Sequence, residues 1–337
     1  MKKATKRWMW LLSMLPFVCG ALAAGWLLYY AYSPLQPAQT PLQFSLKAGS
    51  SLKSAAQQMA NAGVLDDPVR FVVLARLMGE ASNIKAGNYE IEKPITPLKL
   101  LRKITEGDYT QDVITLVEGW TFQQMRKALD DHPAIRHDTH GLGNAEILLR
   151  LDIAQPSAEG WFFPDTYHFS RGSSDLAILR RAHRLMQATL ADQWERRAPG
   201  LPLARPYDAL ILASIIEKET GQAAERRLIA AVFVNRLRMG MKLQTDPSVI
   251  YGLGEAYGGN LRKRDLLADT PYNTYLRGGL PPTPIALPGL ASLSAALNPA
   301  QSDALYFVSR GDGTSHFSRT LSEHDRAVTK YQKAGRR

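Results

Sequence analysis

The 337-residue chain has one cysteine, Cys19. A disulfide framework is thereby excluded, and so is a zinc or iron–sulfur centre built on several thiolates. Acidic residues are missing from the first 65 positions, and no charge of either sign occurs from Trp8 to Tyr32. No Gly-rich phosphate loop follows an expected strand and no Gly-x-Ser-x-Gly elbow is present. Nucleotide chemistry and serine hydrolysis therefore lack their scaffolds. His132, His137 and His140 lie close together but not in a helical ligand spacing, so no metal and no other cofactor is expected. The absence of a fixed-period repeat excludes a solenoid.

What is present suits a globular protein. Hydrophobic residues make up 45% and charged residues 21%, enough for a core and, at this length, for about two domains. The net charge is +10, from 41 Lys+Arg against 31 Asp+Glu. Lys2, Lys3, Lys6 and Arg7 supply four of the positives, leaving 37 basic against 31 acidic residues with no basic run interleaved with aromatics. No nucleic-acid partner is expected.

The uncharged stretch at 8–32 is long enough to span a bilayer as a helix, which takes about 20 residues. The basic stub before it places residues 1–7 in the cytoplasm and everything after Tyr32 outside. Ala21-Leu22-Ala23 looks like a signal-peptide processing site, but the apolar run continues through Trp26, Leu27, Leu28, Tyr29 and Tyr30, which favours a retained anchor.

Residues 33–42, rich in Pro and polar side chains, are expected to be an extended linker. Over 43–94 the pattern predicts strand, helix, helix, strand. Phe44-Ser45-Leu46 alternates, Leu52–Ala62 is helical with Gly63 closing it, Asp67-Pro68 opens a second helix, and Ala86–Ile91 returns as a strand. This β-α-α-β order resembles the LysM module, which binds amino-sugar glycans; a small packing unit without a ligand has the same pattern. Residues 95–337 read as a mixed α+β domain. Helices are predicted over 98–106, 121–131 (Thr121 as N-cap), 174–197, 207–220 and 225–239, with a strand at 113–117.

The helix YDALILASIIEKET at 207–220 ends on two carboxylates, Glu217 and Glu219. Acids at a helix C-terminus face the negative end of the dipole, a small penalty that stability alone would not select. Glu217 continues the stripe Leu210, Ala213, Ser214, whereas Glu219 points about 200° away, so the two do not share a site directly. A glutamate on an apolar face is desolvated and tends to stay protonated, as a general acid requires. Periodicity does not choose between them. Two polar-aromatic loops follow, Gln244-Thr245-Asp246-Pro247 leading into Val249–Gly252, and Tyr272-Asn273-Thr274-Tyr275. Amides, hydroxyls and Tyr rings suit a sugar, whose hydroxyls they bond and whose apolar faces they cover. Asx and Pro turn chemistry explains the same residues without a ligand.

The blocks EGWFFPDTYHF (159–169), LASIIEKET (212–220), VFVNRLRMGMKLQTDPSVIYG (232–252), YNTYLRGGLPPTPIALPG (272–289) and SHFSRTLSEHD (315–325) resemble those of the MltG (YceG-like) endolytic murein transglycosylases. Ser248 stands where that family often has Thr, and the hydroxyl is kept. The resemblance implies a single-pass inner-membrane protein with a periplasmic catalytic domain whose core site region is 155–325. It also implies that Glu217, the first glutamate of the EKET block, is the catalytic residue. Gln244, Thr245, Asp246, Tyr272, Asn273 and Tyr275 are then candidates for substrate binding. The implied substrate is nascent peptidoglycan glycan, cut between N-acetylmuramic acid and N-acetylglucosamine to leave a 1,6-anhydro end, with peptidoglycan synthases as partners. Two alternatives are a hydrolytic muramidase using Asp246 or Glu219 as a second acid, and a non-catalytic, membrane-tethered glycan-binding scaffold.

Overall fold

The structure, a computed structural model, describes residues 18–37, 40–108 and 111–333. The basic stub and residues 8–17 of the expected membrane helix lie outside the described residues. Residues 18–32 are helical (α1). Among the described residues no helix is long and apolar enough to cross a membrane.

Where a local signal carries its own hydrogen bonds, the element forms as expected. Asp67 caps α3 (Pro68–Leu77), accepting from the Val69 and Arg70 amides, with Pro68 in the first turn. Thr121 caps α5 (Phe122–Asp130) as expected, in a reciprocal box with Gln124. A second such box, Thr320 with Glu323, opens α12 (Leu321–Val328), a helix not among those expected from sequence. The sheets are small: among the described residues they are four two-stranded ribbons. The architecture is mixed α+β, with helices carrying most of the core.

The chain divides into two units. The first runs to Asp112 and includes His168–Arg171. In it β1 (Leu42–Leu46) pairs antiparallel with β2 (Gly87–Ile91), Leu42 opposite Ile91, giving the expected β-α-α-β order with α2 (Leu52–Asn61) and α3. Phe44 stacks on Tyr89 at 5.4 Å. α4 (Pro97–Glu106) belongs to the same core through Leu100, Leu101 and Ile104. So do Ala31 and Leu35, and the Leu35 amide donates to the Ile95 carbonyl at 2.8 Å. The Pro-rich segment after α1 is thus docked at Leu35, whose apolar side chain finds a place in the core.

The second unit comprises Val113–Tyr167 and the chain from Gly172. The strand expected at 113–117 is β3 (Gln111–Thr115), which pairs with β5 (Thr166–Ser170). β4 (Ile135–Arg136) runs parallel to β6 (Ser173–Ser174), and β7 (Tyr306–Ser309) antiparallel to β8 (Ser315–Ser318). Its centre is α8 (Pro206–Glu219), whose residues from Ala209 to Ile216 are all buried. A helix apolar on every side has to be surrounded. α7 (Asp175–Glu195), α9 (Arg226–Arg238), α10 (Asp246–Leu253) and α11 (Leu290–Leu297) pack around it. The Asp246-Pro247 segment, expected as a loop, is the first turn of α10. Proline at that position fits a helix start as well as a turn, and eight residues are too few for periodicity to decide.

Candidate active site at the end of the central helix

The C-terminal half of α8 is held from two sides by backbone. Ser214, buried, accepts the Ile285 amide at 3.0 Å while donating to the Ile211 carbonyl at 2.7 Å. This ties the Pro-rich strap 281–289 to α8. The strap is bonded in turn to the Glu118-Gly119-Trp120 turn: Gly119 N donates to Leu287 O at 2.9 Å and Leu287 N to Trp120 O at 2.7 Å. Lys218 closes the arrangement, its ammonium donating to the Gly119 carbonyl at 3.1 Å. Gly119 has φ +77°, a conformation that favours glycine.

Glu217 emerges between these layers with its side chain only 7% exposed. Its Oε2 accepts the Gly289 amide at 3.0 Å, and its Oε1 lies 4.0 Å from Arg226 Nη2. Gly289 is the N-cap of α11. The acid that α8 places at its own unfavourable end therefore meets the favourable N-terminal end of a second helix, which offsets the penalty. Arg226, 12% exposed, has a buried Nε without a hydrogen-bond partner.

A second carboxyl reaches the same place. Glu118 lies against Gly289, where an added Cβ would overlap its carboxyl. Burial, then the nearby Glu217 charge, push Glu118 above the ordinary carboxylate range, with Arg226 opposing.

Glu219 points elsewhere, as the helical spacing predicts. It accepts from the Thr245 hydroxyl and is pushed up to about 7, chiefly by burial and further by Asp246, against Thr245 and Arg236. Around it the structure assembles five of the six expected sugar-binding residues into one internal network. Asn273 is 0% exposed and its amide is spent on the Leu266 and Ala268 carbonyls. Thr245 is 1% exposed, its amide donating to Thr274 Oγ1. These two are buried struts that shape the loops: turn-forming polar residues look alike in sequence whether or not something packs over them. Tyr275 donates to Asp246 at 2.6 Å, and Gln244, in the left-handed region at φ +54°, accepts from Arg236 Nη1 at 3.0 Å. Gln244 and Asp246 are exposed and Tyr275 partly so. Tyr272 belongs to another group, its hydroxyl 2.9 Å from Thr283 and its ring 4.8 Å from that of Tyr251. None of the six is a hydrogen-bond or ion-pair partner of Glu217 among the described residues.

Glu159, 5% exposed, completes the surroundings of α8. It accepts from Phe122 N at 2.9 Å and from the Tyr251 hydroxyl at 3.0 Å. Burial pushes it up to about 7 from an ordinary 4.5, against these hydrogen bonds and the charge of Lys218. Its folded-state value lies above its unfolded one, so its contribution to stability is complete below about pH 4.5 and is lost as pH rises through about 7. Replacing it with glutamine is expected to flatten this dependence. Wild type should lose roughly 3 kcal/mol relative to Glu159→Gln between acidic and mildly alkaline pH. A melting-temperature difference that stays constant from pH 5 to pH 8 would contradict this.

Glu118, Glu159, Arg226 and Gly289 were not among the residues expected from sequence. One signal was available: Glu-Gly-Trp occurs twice, at 118–120 and 159–161. In both copies the glycine has positive φ, +77° at Gly119 and +82° at Gly160. Each copy is a tight turn that delivers a glutamate toward α8.

Several known proteins are similar to this chain. The family model described as the YceG-like family matches residues 44–330. A protein of Bacillus subtilis (strain 168) named endolytic murein transglycosylase is 30% identical, covering 92% of this chain and 91% of its own length. One of the same name from Streptococcus pneumoniae (strain D39) is 25% identical over 95% of this chain, which spans 64% of that longer protein. The crystal structure of a YceG-like protein from Listeria monocytogenes superposes with a TM-score of 0.52 at 29% identity, covering 85% of this chain and 98% of that one. A match running from β1 into the segment after α12, together with a relative 30% identical over nearly its full length, shows that this chain belongs to the YceG-like family.

Proposed function

We propose that the chain is an endolytic lytic transglycosylase of peptidoglycan, cutting the β-1,4 bond between N-acetylmuramic acid and N-acetylglucosamine in nascent strands and so ending their elongation. Membership of the family and the names of the relatives support the activity. The observation that carries the residue assignment is Glu217 itself, a carboxyl 7% exposed, oriented by the Gly289 amide and beside Arg226. Glu217 in its acid form gives a proton to the glycosidic oxygen as the C1–O4 bond breaks. The carboxylate then takes the proton of the sugar's own C6 hydroxyl, whose oxygen closes onto C1. Hydrolytic glycosidases need a second carboxyl as nucleophile or to activate water, and the internal hydroxyl removes that need. Gln244, Asp246, Tyr272 and Tyr275 are proposed to line the path of the strand.

The anchor belongs to the same proposal: residues 8–32 hold the enzyme in the inner membrane, with 1–7 cytoplasmic and the rest periplasmic. The charge asymmetry supports it, as do the apolar side chains that α1 leaves exposed at Val18, Leu22, Trp26 and Leu28. The β-α-α-β unit is proposed as a LysM-like module, on its element order, and peptidoglycan synthases as neighbours at the membrane. Mass spectrometry of uncrosslinked glycan digested by the full chain in detergent tests the activity. Products should be cut within strands and carry anhydro ends one water lighter than reducing ends. Reducing ends would make the protein a muramidase, and release from membranes by an alkaline carbonate wash would remove the anchor.

A further inference from the structure

One helix of the first unit presents an apolar face that no described residue covers. On α3, Val69, Val73 and Leu77 are 70%, 43% and 70% exposed. Spaced by four, they fall within about 80° of one side of the helix, while Phe71, Leu74 and Ala75 take the opposite side into the core. A helix on the surface of a water-soluble unit carries polar side chains on its outer face. The charged residues within α3, Arg70 and Arg76, are both basic, and helical spacing sets one on each flank of the stripe. Arg70 also holds the capping Asp67 at 2.8 Å. An apolar stripe edged by arginines is the pattern of a helix lying in a membrane interface. There the arginine stems stay with the acyl chains and the guanidiniums reach the headgroups.

The neighbour of this face is α1. Arg70 Cζ lies 4.4 Å from the centre of the Trp26 ring, and the Tyr30 hydroxyl donates to the Asp67 carbonyl at 3.5 Å. α1 itself leaves Leu22, Trp26 and Tyr29 exposed. A span of about 20 residues starting at Trp8 reaches its outer boundary near Leu27. Trp26 is then at headgroup depth, and so is the side of α3 that touches it. We infer, building on the reading of residues 8–32 as a membrane anchor, that the Val69–Val73–Leu77 stripe of α3 lies in the outer leaflet of the bilayer that the anchor crosses. The stripe enters by about 5–10 Å, the depth of an interfacial helix. Its place beside the point where the chain leaves the membrane, and the arginines that suit anionic headgroups, favour lipid over a second copy of the chain as the occupant. The β-α-α-β unit thus rests on the bilayer through a second element and does not swing freely on its anchor.

The test uses the full chain in vesicles of phosphatidylethanolamine and phosphatidylglycerol. The single cysteine, Cys19, is exposed and lies seven residues, about 10 Å, along α1 from Trp26, so a fluorophore there reads the anchor. The same fluorophore on Val73→Cys in a Cys19→Ser background reads the stripe. Quenching by nitroxide lipids labelled shallow or deep in the acyl chain is compared with quenching by iodide in the water. The Cys19 label should be quenched best by the deep nitroxide and the Val73→Cys label by the shallow one, with iodide reaching neither. Adding Val69→Ser and Leu77→Ser, both at exposed positions, should abolish the shallow quenching and open the label to iodide. Unchanged lipid quenching after those two substitutions overturns the inference. A Val73→Cys label open to iodide while the Cys19 label stays in lipid also overturns it and leaves the anchor standing. A label reached by neither quencher places a second copy of the chain on the stripe, which overturns lipid as the occupant. Iodide quenching of the Cys19 label would refute the anchor instead, and the Val73→Cys label would still decide whether α3 meets lipid.

Discussion

Glu217→Gln is expected to lower the rate of anhydro-end release by about 10³-fold, within the 10²–10⁴ span usual for removing a general acid–base group. The loss should fall on kcat, because the amide keeps the size of the side chain and can still accept the Gly289 amide that orients it at 3.0 Å. Stability should change little, since the variant retains that bond and removes one partly compensated charge. Single-turnover digestion followed by mass spectrometry, alongside a thermal melt, separates the two effects. A folded variant with the wild-type rate would move the chemistry away from Glu217 to another residue. Loss of glycan binding together with loss of cleavage would indicate a collapsed site, since removing a proton donor leaves binding in place.

The second large effect is structural. Gly160→Ala should destabilise the second unit by roughly 3–4 kcal/mol. Two costs add there. The residue has φ +82°, and an added Cβ would lie 2.6 Å from both Cβ and Cγ of Pro284 and 3.5 Å from Leu210 Cγ. A proline ring cannot rotate aside as a lysine end would, so the strap itself must shift. That strap carries the Ile285–Ser214 bond and leads to Gly289, so activity should fall with stability. The built-in control is Gly172→Ala, at φ +79° with nothing within 4 Å, which carries the conformational cost alone. Calorimetry should show the melting temperature of Gly160→Ala lower by on the order of 10 °C, and that of Gly172→Ala by a few degrees. Equal shifts would show that the contact with Pro284 has no energetic weight.

Local chemistry was legible. Asp67-Pro68 and the Thr121 cap satisfy their own amides within one turn, so their helices follow from four or five adjacent residues. The divergence of Glu217 and Glu219 was legible for the same reason: 3.6 residues per turn sends them to opposite partners, Gly289 and Thr245. Burial of polar loop residues was not. Asn273 and Thr245 have the composition of a sugar site and the surroundings of a core, and only the chains packed over them separate the two.

By itself, then, the amino-acid order determined the apolar helix that ends in two acids, the charge step across the N-terminal segment, the mixed α+β class, and the family blocks that single out Glu217. Only the tertiary structure decided what Glu217 faces. Glu118 is 99 positions upstream of it and Gly289 is 72 downstream, and no periodicity reaches so far. Helical spacing sets the direction in which a side chain leaves its own backbone. The charge, dryness and hydrogen bonds it meets there belong to segments brought in by packing, and those set its chemistry.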